Sequence, residues 1–208
     1  METIVISPET DYPNEHDWMV KLFEAGLSRY HVRKPMMDED QLEQYLEEVP
    51  EAWRPQVVSH QSHGLVDLFK LGGWHFKDDA SQFARAEHLR NIRENEKVLS
   101  RSIHSLDDLN EDLSGWDYVF LSPVFQSISK RNYGPRWEEA QLTAALRYCK
   151  EAYQTRVYAL GGVDDSRIHQ CSMMGFDGVA LLGAIWESRY PLESFLCVQE
   201  ALNLLIKR

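Results

Sequence analysis

Strand-like and helix-like stretches alternate along the 208 residues, and no other feature restricts the fold as much. Short runs rich in β-branched and aromatic residues stand at Ile4–Ser7, Arg29–Arg33, Gln56–His60, Gly73–Lys77, Val98–His104, Tyr118–Pro123, Arg156–Gly161 and Asp177–Leu182. Between them apolar residues recur at helical spacing over Asp17–Leu27, Asp38–Glu48, Ser81–Asn95, Trp137–Tyr153, Ser166–Met174 and Leu192–Lys207. Asp38 and Asp165 stand where helix N-caps belong, Pro191 opens the last helix, and Gly26, Gly72 and Gly175 sit at helix exits. Such alternation implies parallel strands joined by right-handed crossovers. Eight units in a chain of this length predict a single (β/α)8 TIM barrel over residues 1–208. An open doubly wound sheet would have to discard two of the strands.

Composition narrows the class of partner. A net charge of −11 argues against nucleic acid, whose phosphate backbone needs a basic surface. It leaves room for a small anion, which a few local cations and helix N-termini can hold. Apolar runs such as Val179–Trp186 fall far short of the roughly 20 residues of a membrane span. The N-terminus enters a strand with no basic region or cleavage site, so a leader peptide is not expected. Cys149, Cys171 and Cys197 are odd in number and widely spaced, which predicts buried thiols in a reducing cytoplasm. A monomer and a homo-oligomer are equally compatible with the sequence.

In this fold the active site lies in the loops after the strands. The seventh strand ends in Gly161-Gly162 and the eighth in Leu182-Gly183. Glycines there let backbone N–H groups approach a phosphate. The sixth strand breaks at Ser122-Pro123 into a long loop carrying Ser127, Ser129 and Lys130, suited to grip an anion. On the second strand His31 and Arg33 share one face, so Arg33 is expected to point into the barrel mouth and meet an anion. Lys34, on the other face, is expected at the surface or rim.

The segments VRKP, SRSIHS, DYVFLSPVFQSISK, YALGGV and GFDGVALLGAIW, in this order, resemble the thiamine phosphate synthase / thiazole tautomerase (TenI-type) family. The resemblance runs from Arg29 to Trp186. It implies a TIM barrel whose synthases join hydroxymethylpyrimidine diphosphate to thiazole phosphate, releasing diphosphate with Mg²⁺. Arg33 matches the family's diphosphate-contacting arginine. Ser127, Ser129 and Lys130 match a T-x-T-K segment whose hydroxyls hold the thiazole phosphate and whose lysine meets the diphosphate. Gly162, Leu182 and Gly183 match the backbone phosphate cradle, and Ser102 a pocket serine.

Other positions depart from the family. Its Gln-x-Arg-x-Lys becomes His31-Val32-Arg33-Lys34-Pro35, and the Asn-Asp pair closing the third strand becomes His60-Gln61. That Asp is a Mg²⁺ ligand in the family. The second family Asp falls near Ala80, leaving Asp78 and Asp79 as candidate ligands. The TenI-type catalytic histidine is replaced by Pro123, while His104 could act as an acid or base. A thiazole-phosphate binder or a tautomerase without synthase activity is therefore the alternative. A further reading comes from His31, His60, His75 and His104 near the ends of strands two to five, an arrangement reminiscent of metal-dependent hydrolases. The sequence also allows four unrelated histidines. Among the tryptophans, Trp74 and Trp186 are the most able to line a pocket, and Asp38–Glu51 reads as a solvated helix face.

Overall fold

The computed structural model describes residues 1–77, 87–88, 97–126 and 137–206. All eight expected strands form: β1 (Glu2–Ile6), β2 (Arg29–Val32), β3 (Val57–Ser59), β4 (Gly73–Phe76), β5 (Val98–Ile103), β6 (Tyr118–Leu121), β7 (Arg156–Leu160) and β8 (Gly178–Leu181). Each pairs in parallel with its sequence neighbours, and β8 closes on β1 with Ile4 opposite Ala180. The (β/α)8 barrel is therefore complete, and the open-sheet alternative is excluded.

The helices around it are α1 (Glu15–Glu24), α2 (Glu39–Glu47), α3 (Leu65–Leu68), α4 (Glu139–Tyr153), α5 (Ile168–Met174), α6 (Gly183–Trp186) and α7 (Pro191–Ile206). Asp38 caps α2 as expected, accepting from the Gln41 backbone N–H at 2.9 Å while the Gln41 side chain accepts from the Asp38 N–H. Gly175 closes α5 in the left-handed conformation. The stretch 81–95 lies almost wholly outside the described residues. Short elements without a clear periodicity went unread in the sequence: α3, α6 and two 3₁₀ segments at Glu51–Gln56 and Asp107–Asn110.

Strand alternation divides the apolar residues into two layers. Val5, Tyr30, Val32, Val57, Trp74, Leu99, Val119, Val157 and Val179 face the helices and join the larger core there. Ile4, Ile6, Val58, Val98, Tyr118, Phe120, Tyr158 and Ala180 fill the barrel itself. The rings of Tyr118 and Tyr158 stack with centroids 5.0 Å apart. At the N-terminal end Tyr158 donates its hydroxyl to Glu2, which also pairs with Arg156.

Three expectations about burial change. Lys34 does lie on the outward face, but α1 and α2 cover that face, and the ammonium is buried against Glu15. Trp74 and Trp186 are packed in the barrel–helix layer rather than lining the mouth. Trp74 donates its indole N–H to the His63 carbonyl at 3.1 Å, and Trp186 to the Ile6 carbonyl at 2.7 Å. Cys149 and Cys171 are buried as expected, whereas Cys197 lies on the exposed side of α7.

Candidate active site at the barrel mouth

The strand ends carry the described candidate residues toward one end, the C-terminal face of the barrel. Gly161 and Gly162 follow β7 with φ of +93° and +67°. Beyond the turn itself, they admit the chain leaving β6: the Val124 and Phe125 N–H groups donate to the Leu160 and Gly161 carbonyls, each at 3.0 Å. A Cβ on Gly162 would lie 2.1 Å from the Gln126 carbonyl oxygen. These glycines thus seat the start of the long β6–α4 loop against β7. The loop's own Ser127, Ser129 and Lys130 lie outside the described residues. After β8, Leu182 packs on the barrel interior and its carbonyl accepts the N–H groups of Ile185 and Trp186. Gly183 thereby opens α6.

On the opposite wall Arg33 is partly exposed, and its guanidinium meets Glu9 at 2.5 Å. Its backbone is tied to Ser7, whose hydroxyl accepts from the Arg33 N–H at 2.7 Å. An incoming anion would have to exchange with Glu9 for this cation. Gln61, which the resemblance sets at the family's metal-binding carboxylate, has another task. Its side-chain amide donates to the Lys34 and Met37 carbonyls at 2.8 and 3.3 Å, tying the loop after β2 to the end of β3. Mg²⁺ takes hard oxygen ligands, usually carboxylates. Among the described residues this wall gathers no set of carboxylates: Glu9 is paired with Arg33 and Gln61 is engaged through its amide, so it does not fit that ion. Asp78 and Asp79 lie outside the described residues.

Between these walls the barrel interior holds a polar cluster. His31 Nδ1 lies 2.9 Å from His60 Nε2, and His31 Nε2 lies 2.8 Å from the Tyr118 hydroxyl. His75 is hydrogen-bonded through Nδ1 to Ser100 Oγ at 2.8 Å and through Nε2 to Ser102 Oγ at 3.0 Å. The His60 and His75 rings stack with centroids 4.0 Å apart. Burial pushes His31, His60 and His75 below the usual imidazole range, His75 to about 3, and neighbouring histidines together with Arg29 at His31 and Arg33 at His60 and His75 add to the effect. All three are neutral at physiological pH. Burial likewise holds the Tyr118 phenol well above its ordinary value. Each imidazole therefore keeps one lone pair and one N–H.

Of the four strand-end histidines, the barrel brings together His31, His60 and His75 and leaves out His104. His104 is exposed at the rim, its Nδ1 within 3.1 Å of the Ser122 carbonyl and 3.2 Å of the Ser122 hydroxyl. Ser102 joins the cluster. Ser100 and Tyr118 were not singled out in the sequence, although Ser100 lies two residues before Ser102 and so shares its face.

The profile of the family described as thiamine monophosphate synthase matches residues 3–185. The chain belongs to that family. Among curated relatives, the thiamine-phosphate synthase of Vibrio campbellii is 34% identical over 96 residues, 46% of this chain and 45% of the relative. That of Synechococcus sp. (strain CC9311) is 28% identical over 177 residues, 82% of this chain and 47% of the relative. The chain thus aligns with about half the length of these relatives. Among solved structures, thiamine phosphate pyrophosphorylase from Bacteroides thetaiotaomicron superposes with a TM-score of 0.75 at 26% identity, over 98% of both chains. The family match runs from β1 through β8 and includes Gly161 and Gly162.

Proposed function

We propose that the protein is a thiamine phosphate synthase-type transferase that joins hydroxymethylpyrimidine diphosphate to thiazole phosphate with release of diphosphate. The family match across residues 3–185 carries this reading. The seam of Gly161 and Gly162 against the β6 exit supports it, because it anchors the loop bearing the anion-gripping residues.

In this reading Gly162, Leu182 and Gly183 present backbone to the thiazole phosphate, and Ser127 and Ser129 add hydroxyls. Arg33 and Lys130 stabilise the charge that develops on the departing diphosphate. Arg33 is released from Glu9 as the diphosphate arrives. His31, His60 and Ser102 shape the floor beneath the pyrimidine, and His104 at the rim is the candidate acid or base. Mg²⁺ would draw on Asp78 and Asp79, since the described wall offers it no suitable ligand set. The protein acts in the cytoplasm, as one barrel domain over residues 1–208.

Gln61 at the family's metal position favours a second reading, a thiazole-phosphate binder without turnover. Incubation with both substrates and Mg²⁺, followed by chromatography for thiamine phosphate, separates the two. Product supports the transferase. Calorimetric binding of thiazole phosphate without product supports the binder, and neither result removes both.

A further inference from the structure

His31, His60 and His75 perform no step in the reaction above, yet the barrel gathers them into one cluster. One ring nitrogen from each of His31, His60 and His75 lies within 4.8 Å of the others. We propose that these three histidines form a site for a divalent transition ion of the Zn²⁺ class, inside the barrel and apart from the diphosphate wall.

Three observations point to coordination. The first is spacing. With Zn–N bonds of about 2.0–2.1 Å, tetrahedral ligand nitrogens stand about 3.3 Å apart. The present spacings bracket that value, at 2.9 Å between His31 Nδ1 and His60 Nε2 and under 4.8 Å for the whole set. Coordination would replace the His31–His60 hydrogen bond and turn the His60 ring out of its stack on His75.

The second is the outer shell. A metal-bound imidazole is held by a hydrogen bond from its remote N–H. His31 has its Nε2 on the Tyr118 hydroxyl, so Nδ1, which faces His60 Nε2 at 2.9 Å, is the atom that would ligate. His75 has a serine hydroxyl on each nitrogen, Ser100 and Ser102, so either can ligate while the other stays held. Ser100 in turn donates to the Trp74 carbonyl at 3.3 Å, which frees its lone pairs for His75.

The third is chemistry. A set of neutral nitrogens suits Zn²⁺, Ni²⁺ or Cu²⁺ rather than Mg²⁺. Arg29 and Arg33 face the cluster and oppose a cation, although Glu9 offsets Arg33. Binding must therefore rest on coordination bonds rather than on the local field. His60 and Ser102 are partly exposed, so an ion held there could take a water or substrate atom as its fourth ligand.

The test uses the full chain stripped with a chelator and titrated with Co²⁺ as an optical probe. The expected result is one ion per chain with visible d–d bands of a nitrogen-rich, low-coordinate site, displaced by Zn²⁺. His75→Ala and His60→Asn should each abolish the bands and weaken Zn²⁺ binding at least 100-fold. Tyr118→Phe should weaken it about 10-fold through the outer shell, and His104→Ala should leave it unchanged. Circular dichroism checks that each variant is folded, and the part-exposed His60 serves should His75→Ala fail. Absence of bands at saturating Co²⁺, or bands that survive the folded His60→Asn variant, would overturn the proposal. The thiazole-phosphate titration is read separately, so failure of one reading does not imply failure of the other.

Discussion

The ammonium of Lys34 lies 2.5 Å from a carboxylate oxygen of Glu15, and both side chains are buried between β2, the first turn of α1 and the last turn of α2. The other Glu15 oxygen accepts the hydroxyls of Tyr30 at 2.9 Å and Tyr45 at 2.6 Å. The carboxylate is thus satisfied on both oxygens, the condition under which a buried charge is tolerated. This pair pins α1 and α2 to the strand that presents His31 and Arg33.

Breaking the pair from one side should be costly. Lys34→Met leaves Glu15 uncompensated and should lower stability by about 3–5 kcal/mol, read from urea unfolding midpoints. Adding Glu15→Leu to that variant should restore a large part of the loss. An unchanged midpoint for Lys34→Met would show that the ion pair is not formed.

Gly162 and Gly175 both adopt positive φ, but only Gly162 is crowded. Gly175→Ala, with open space around the new methyl, should cost about 1 kcal/mol. Gly162→Ala must also displace the Gln126 carbonyl, so it should cost at least about 2 kcal/mol and weaken thiazole-phosphate binding. Equal losses in thermal melts of the two variants would contradict the seam between β6 and β7.

Arg33 and Glu9 form a partly exposed pair, which contributes at most about 1 kcal/mol. Arg33→Ala should therefore leave the unfolding midpoint nearly unchanged while reducing affinity for a pyrimidine diphosphate at least tenfold. A midpoint shift comparable to that of Lys34→Met would make Arg33 a structural residue.

The imidazoles have a consequence for acid stability in the metal-free protein. Their folded values lie below the unfolded value near 6.5, so the unfolded chain binds more protons as pH falls beneath it. The stabilisation from keeping them neutral is full above pH 6.5. It is lost progressively as pH falls below that value, for His75 down to about pH 3, by up to about 1.4 kcal/mol per pH unit for each histidine. Urea midpoints of chelated protein between pH 7 and 4 should fall, and His75→Gln should make the fall shallower. A profile identical in that variant would show that His75 titrates normally.

Burial pushes the Cys149 thiol up to about 11 and the Cys171 thiol to about 12, whereas Cys197 is exposed. At pH 8 a thiol-specific reagent should label Cys197 rapidly and spare the other two until denaturant is added. Fast labelling of more than one cysteine in the native protein would show that α4 or α5 opens.

All eight strands were legible because each is a short β-branched or aromatic run bounded by polar or glycine-containing turns, a pattern local in the chain. Asp38 and Gly175 were legible for the same reason, since a cap depends on residues within one turn. Gly162 was readable as a special backbone position, but its crowding partner Gln126 was not, because that contact depends on how β6 and β7 pair. The solvent exposure of Lys34 was misread because alternation assigns a face, not what covers it. The three-histidine cluster shows the limit most clearly. His31, His60 and His75 come from three strands and have no local spacing in common, so nothing short of barrel closure decides that they meet and His104 does not. Local periodicity by itself determined the barrel and its rim. Only the tertiary structure decided which polar side chains share the interior, because that depends on strand pairing and helix packing over long sequence separations.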